Sequence, residues 1–275
     1  LEKSLRLAKY VALVFPKFLL NTPEFSTTRA ELAQKSVDAI LDFGEKGFPG
    51  ILVETIAIFI NNLAAPANTK VFSLTHRLHL TQPQAYIFDP ELPYWIIYRN
   101  QLFDSVCRKL DFDVFEVFRD RQLTNKLLSS SGELRVLKSR NLSDDGKEIL
   151  DIPGYDSYIS YAAAKPLSVF QYLDASNVYL TPNMTYKPRM MKKPPHCVVN
   201  GSLAILIPKG GIVPTEKQLA YFSSEEYRAF YQIARNFQTR SLNVDACSVF
   251  FYGLLRDEAK PAPEKFDTSV QLSFL

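Results

Sequence analysis

Val37–Asn61 reads VDAILDFGEKGFPGILVETIAIFIN, two apolar runs around a loop. The runs, Val37–Phe43 and Ile51–Ile60, are rich in Ile, Val, Leu and Phe and are of strand length, which predicts a buried β-hairpin rather than a helix pair. The seven residues Gly44–Gly50 join them. An ordinary turn would carry Asn, Asp or Ser there. This loop instead holds Phe48 beside Pro49 and between Gly47 and Gly50. An aromatic ring held at a loop tip by glycines either tucks back into the core, the usual fate of an apolar side chain, or meets something flat.

The chain surrounding the hairpin has 275 residues, room for one large domain or two ordinary ones. With 47% hydrophobic and 22% charged residues it can bury a sizeable core and is not of disordered composition. The net charge of +3 does not by itself announce a nucleic-acid binder. Cys107, Cys197 and Cys247 are odd in number, widely spaced and free of CxxC spacing. They read as small buried apolar residues in a reducing compartment, with neither a disulfide framework nor a zinc site. No run approaches the ~18–20 apolar residues that span a bilayer, and Pro16-Lys17 cuts short the only stretch resembling a signal peptide. No membrane association and a cytoplasmic location are the expectation.

Leu1–Lys9 reads as a helix entered midway, as in a domain that has lost its beginning. Tyr10–Phe15 reads as a strand buried on both faces of a doubly wound sheet. Thr28-x-x-Glu31 predicts the cap of a helix over about Thr27–Lys35. Asn61–Asn68 is a linker signal, followed by strands at Lys70–Leu74, up to Leu80, and at Tyr94–Tyr98. Asn100–Leu110 predicts an amphipathic helix with Leu102, Phe103, Val106 and Leu110 inward. A domain boundary is expected within Asn100–Ser130. Beyond it, strands are predicted at Glu133–Lys138, Val178–Leu180, Val198–Ile207 and Ala246–Leu254. The longest helix is predicted over Ser223–Gln238, capped by Ser223-x-x-Glu226, and Lys260–Leu275 reads as a loosely packed tail.

Charge distribution says more than charge sum. Ala175–Thr215 contains no Asp or Glu but holds Lys187, Arg189, Lys192, Lys193 and Lys209, interleaved with Tyr179 and Tyr186 and with Pro182, Pro188, Pro194 and Pro195. A basic, Pro-stiffened, aromatic-dotted loop suits a phosphate backbone. Arg119–Arg140 holds six basic residues against Asp120 and Glu133, and Tyr227–Val244 carries Arg228, Arg235 and Arg240. Each patch alone could be a solvated face; three in one half of a nearly neutral chain point to double-stranded DNA.

Two segments carry a family resemblance. LEKSLRLAKYVALVFPKFLLN with LDFGEKGFPGILVETIAIFI resembles the closing third of the catalytic domain of γ-class adenine-specific DNA methyltransferases of restriction–modification systems. PPHCVVNGSLAILIPKGGIVPTEKQLAYFSSEEYRAFYQIARNFQTRSLNVDACSVFFYG is similar to the C-terminal part of their target-recognition domains. The likeness runs from about Leu1 to Gly253. It implies an α/β fold: the closing part of a Rossmann-like methyltransferase sheet (residues 1–110), followed by a mixed α+β target-recognition domain (residues 111–275). It implies a bacterial or archaeal transferase with S-adenosylmethionine as cofactor and a cognate restriction endonuclease as companion. Phe48 would stack on an adenine flipped from the duplex, since chemistry on an exocyclic amine needs the base unstacked. Arg119, Arg121, Lys138, Arg140, Lys187, Arg189, Lys192 and Arg240 are the candidates for base-edge or phosphate contact.

The family's glycine-containing donor-binding turn and its Asn-Pro-Pro-Tyr type motif are absent. Asn21-Thr22-Pro23-Glu24-Phe25 is only an echo of the latter. The chain is therefore expected to be inactive alone. It would be either part of a longer methyltransferase, supplying DNA recognition and the stacking loop, or a non-enzymatic specificity subunit that pairs with a separate catalytic chain. His76, His79 and His196 do not cluster with carboxylates at metal spacing, and no metal is expected. Glu258-Ala259-Lys260 mimics the end of a nuclease motif without a convincing upstream Asp.

Overall fold

The hairpin forms. In the computed structural model, which describes residues 1–50, 52–239 and 243–257, Ser36–Gly44 pairs antiparallel with Thr55–Asn61. The elements in chain order are α1 (Glu2–Leu7), β1 (Tyr10–Pro16), α2 (Ser26–Ala33), β2 (Ser36–Gly44), β3 (Thr55–Asn61), β4 (Asn68–Ser73), β5 (Leu78–Pro83), α3 (Gln84–Ile87) and α4 (Gln101–Lys109). They continue with β6 (Leu110–Asp111), β7 (Phe115–Phe118), β8 (Leu134–Leu137), β9 (Ser157–Ile159), α5 (Tyr161–Ala164), β10 (Tyr179–Pro182), β11 (Met191–Lys192) and β12 (Cys197–Val199). The last are β13 (Leu203–Pro208), α6 (Glu216–Tyr221), α7 (Glu225–Ala234) and β14 (Leu254–Leu255). The fold is mixed α/β with several sheets. Its residues divide into two compact units, one of Leu1–Arg108 with 232–239, the other of Lys109–Tyr231 with 243–257. A division at residue 110 does not foresee this return of 232–239 to the first unit.

The first unit is built on a five-stranded sheet of order β1-β3-β2-β4-β5. β3 runs antiparallel to both β1 and β2, β2 is parallel to β4, and β4 is antiparallel to β5. Strands β1, β2 and β4 therefore point the same way, and their carboxyl ends share one edge with the start of β3. The hairpin is not the antiparallel edge of a parallel sheet, as expected; it occupies the interior, and only one of the four ladders is parallel. Nor is β1 buried on both faces: among the described residues its one strand neighbour is β3, and Tyr10 is 67% exposed while Val11 is buried. Every second side chain of an outer strand in a one-sided sheet meets water. The buried face carries Val37, Ile40, Ile56, Ile58, Ile60 and Val71, and the unit's other buried apolar residues include Leu32, Ile87, Phe103 and Val106. Asn61–Asn68 links β3 to β4 within this sheet.

Tyr94–Tyr98 is buried but is not a strand. The Asn236 side chain replaces a neighbouring strand, donating to the Trp95 carbonyl (2.7 Å) and accepting from the Ile97 amide (2.9 Å), and Trp95 stacks on Phe88. The second unit holds a four-stranded antiparallel sheet, β11-β10-β13-β7, a three-stranded sheet, β12-β8-β9, and the pair β14-β6. Leu134, Val136, Leu180, Val198, Leu203 and Ile205 lie in its core. The single strand expected over Val198–Ile207 is two, parted by a turn that Asn200 closes on Ser202, and Gly201 sits so close to the Asp120 carbonyl that a Cβ would be 2.6 Å away. Ala246–Leu254 is a 3-10 turn, Ser248–Phe251, and the short β14, because the Asp245 side chain captures the Cys247 and Ser248 amides.

Two expected caps are also corrected. α2 starts at Ser26, which leaves Thr28 inside it. In α7 it is Ser224, not Ser223, whose hydroxyl accepts from the Tyr227 amide. That helix stops at Ala234 because Asn236 and Phe237 adopt positive φ. Arg240, the Lys260–Leu275 tail and Glu258-Ala259-Lys260 lie outside the described residues.

Candidate nucleic-acid interface

At the carboxyl edge of the first unit's sheet, β2 turns outward at Gly44, whose φ of +54° and closeness to Thr75 (a Cβ would lie 2.3 Å from its Oγ1) leave room only for glycine. The loop then folds against the start of β3: a Cβ on Gly47 would be 2.4 Å from Thr55 Oγ1. Phe48, at the tip of this loop, is 44% exposed. Leu52, Val53 and Leu74 share this edge and are also exposed. In open α/β sheets ligands gather outside the carboxyl ends of the strands, and exposed apolar groups collected in one place mark a binding surface more often than a single exposed residue does.

A buried charge network lies at the root of the loop. Lys17, first residue after β1, places its Nζ 2.6 Å from Asp42 Oδ2 and 3.7 Å from Glu54 Oε1. Tyr98 donates its hydroxyl to Asp42 (2.5 Å), the Gly44 amide donates to the other Asp42 oxygen (2.9 Å), and the Lys17 amide donates to the Glu54 carbonyl. Burial and Asp42 together push the Tyr98 hydroxyl well above its ordinary range. His76 lies over Phe237 and beside Tyr98; burial, then Lys17, lower its pKa. The hairpin pattern identifies none of these roles. The available signal was charge inside apolar runs, Asp42 and Glu54, since buried charges demand partners.

In the second unit, β7 and β10 end, and β13 begins, at one end of the four-stranded sheet. The loops there are tied together by Asn183, whose side chain donates to the Gly201 carbonyl and to Asn243, accepts from the Val244 amide, and lies 3.5 Å from Arg119 Nη1. The Ser139 amide donates to Ser202 Oγ, which brings the 138–141 turn to the same end. Arg119, Arg121, Lys138, Arg140, Lys187 and Arg189 are thereby collected from three separate stretches. Arg121, Arg140 and Lys187 are exposed, and Met184 is exposed beside them on the β10–β11 loop.

Others among the candidates are not free for phosphate. Arg189 is 8% exposed, its guanidinium donating to the carbonyls of Lys187, Ser139 and Leu142. Lys193, in the same basic stretch but not one of the contact candidates, is likewise buried, with its ammonium on the Leu173 and Pro194 carbonyls. Lys138 donates to the Tyr155 carbonyl and Ser157, and its ammonium, with the Arg140 guanidinium 4.7 Å from the ring, flanks Tyr155. Lys192 pairs with Tyr179, at the opposite end of the sheet. Nor is the acid-free stretch Ala175–Thr215 acid-free in space: Asp144 reaches Lys187 (3.8 Å) and Asp113 holds Lys209, while in the acid-poor stretch Arg119–Arg140 Asp151 and Asp156 hold Arg135.

Cys107, Cys197 and Cys247 are only partly buried; burial raises Cys197 and pushes Cys107 up to about 12. Among the described residues no group of His, Cys, Asp and Glu could hold a metal, and no helix is long and apolar enough to cross a membrane.

No family model and no curated protein matches this chain. Among solved structures it is similar to the type IIG restriction endonuclease BpuSI, with a TM-score of 0.32 and 9% identity, over 89% of this chain and 39% of that one. The chain thus spans less than half the length of that protein, and a likeness of this strength adds nothing to what the residues themselves argue.

Proposed function

We propose that this chain is the DNA-engaging part of an S-adenosylmethionine-dependent, adenine-specific DNA methyltransferase of the restriction–modification type. Phe48 stacks on an adenine extruded from the duplex, and the basic loop end of the second unit grips the DNA around the target. The observation that carries this reading is Phe48 itself: an aromatic side chain 44% exposed at the carboxyl edge of the sheet, on a loop whose glycines fit closely against Thr75 and Thr55 and whose stem lies beside a buried ion pair. An unstacked base loses its neighbours in the helix, and a rigid aromatic face replaces part of that stacking.

The donor does not fit these residues. β1 passes into the glycine-free turn Lys17–Leu20, Lys17 is sealed against Asp42, and Asn21, the echo of the amine-orienting motif, is buried in reciprocal bonds with Gln238. No methyl-transfer step is assigned to residues 1–275; in this reading S-adenosylmethionine and the groups that polarise the adenine amine sit on polypeptide outside them. The alternative, a specificity subunit for a separate catalytic chain, shares this requirement.

The test is fluorescence anisotropy of the chain with a randomised duplex pool across a salt series, with the bound fraction sequenced. Enrichment of one short adenine-containing site supports the reading. Absence of duplex binding at low salt refutes it.

A further inference from the structure

The loop that presents Phe48 is fastened at both stems, and one fastener comes from far along the chain. The Thr239 amide donates to Glu54 Oε2 (2.8 Å), at the foot of β3, and the Thr239 hydroxyl donates to Glu45 Oε1 (2.8 Å), just past the end of β2. Glu45 and Glu54 are thus held by one residue, one on each side of the loop tip. Thr239 is itself fixed by its neighbours. Gln238 exchanges two hydrogen bonds with Asn21 (2.6 and 3.1 Å), Phe237 packs on Tyr98 and His76, and Asn236 bridges Trp95 and Ile97. Asn236 and Phe237 both stand at φ of +50°, a conformation that non-glycine residues keep only where surroundings enforce it.

We infer that residues 236–239 are a latch and that Thr239 is a positioning residue for Phe48, setting the loop through Glu45 and Glu54. This deepens the proposed function and rests on it only for its DNA arm. The latch reaches the loop from the end of α7, a helix whose first residues belong to the second unit. The loop is therefore tied to the very chain segment that leaves the DNA-gripping unit. A ring that must meet a base face benefits from such restraint, because a loop ordered beforehand loses less freedom on binding.

The test compares Thr239→Val, Thr239→Ser and the unaltered chain. Thr239 is exposed, so neither variant threatens the fold. Valine keeps the amide bond to Glu54 and deletes the hydroxyl bond to Glu45; serine keeps both. In hydrogen exchange without DNA, amides of residues 44–54 should exchange about fivefold faster in Thr239→Val, the effect of one net hydrogen bond, and at the original rate in Thr239→Ser. With a duplex carrying 2-aminopurine at the target adenine, Thr239→Val should lower the fluorescence rise of the flipped base while leaving duplex affinity within about twofold. Unchanged exchange in Thr239→Val, or equal acceleration in Thr239→Ser, overturns the latch. No duplex binding by the unaltered chain strikes the proposed function instead, and leaves the exchange result to judge the latch alone.

Discussion

The Lys17 ammonium lies 2.6 Å from the Asp42 carboxylate, with both side chains sealed from solvent at 2% and 1% exposure, although 25 residues separate them. The pair joins the end of β1 to the end of β2 immediately below the loop that carries Phe48. Around it the lone pairs of Asp42 are filled by Tyr98 and the Gly44 amide. A buried ion pair of this kind adds little net stability over an apolar one, but is costly to break from one side.

Lys17→Met should therefore destabilise the chain by about 3–5 kcal/mol, because Asp42 is left charged, buried and unmatched. Urea unfolding of the variant beside Lys17→Met/Asp42→Leu measures it. The double variant should recover only part of the loss, because the Tyr98 hydroxyl and the Gly44 amide then lose their acceptor; a single variant within about 1 kcal/mol of the original would mean that water reaches the site.

Gly47→Ala should cost about 1–3 kcal/mol, the range for forcing atoms into filled space, since the new Cβ would meet Thr55 Oγ1 at 2.4 Å and Phe43 Cβ at 3.0 Å. Phe48→Ala, at an exposed position, should stay within about 0.5 kcal/mol in thermal unfolding while abolishing any 2-aminopurine signal. A large loss of stability in Phe48→Ala would place the ring in the core.

The basic residues should separate into two classes. Arg121→Gln, Arg140→Gln and Lys187→Gln should each flatten the salt dependence of duplex binding by about 0.9 for every phosphate contact removed, with stability unchanged. Lys192→Gln, at the other end of the sheet, should leave the slope alone. Arg189→Gln should instead lower stability by about 1–3 kcal/mol, from carbonyls left without a donor. Equal slopes for all variants would remove this end of the second unit from the interface.

His76, exposed at the surface but with its ring against Phe237, should give the chain a small acid sensitivity. Its pKa is lowered in the folded state, chiefly by burial and then by Lys17, so the unfolded chain binds its proton more readily. Its contribution is intact above the ordinary histidine range, weakens as pH falls through about 6.5, and levels off below the folded-state pKa. The melting temperature of the original chain should thus drop more steeply than that of His76→Phe between pH 7.5 and 5. Parallel curves would show that the imidazole reaches water freely.

The hairpin, its apolar strands and the glycines flanking Phe48 were legible because period, length and turn composition are local properties of the backbone. So was the amphipathic helix α4. What the sequence could not say is where a side chain's partner comes from. Arg189 and Lys193 read like Lys187 on the page, but only the fold puts carbonyls of residues 139, 142 and 173 around the first two and leaves the third exposed. Asp144 re-enters a stretch that is free of acids only along the chain, and Asp151 and Asp156 meet Arg135 in one that is merely poor in them. Tyr94–Tyr98 has every local mark of a strand and is not one, because Asn236, some 140 residues away, takes the neighbouring strand's hydrogen bonds. The sequence by itself determined that a loop with an aromatic ring between glycines joins two strands, and left open whether the ring is buried or offered. Tertiary structure alone decided what holds that loop, since Lys17, Tyr98 and Thr239 meet it through long-range burial and pairing, and charge excluded from water must find its partner wherever the chain brings one.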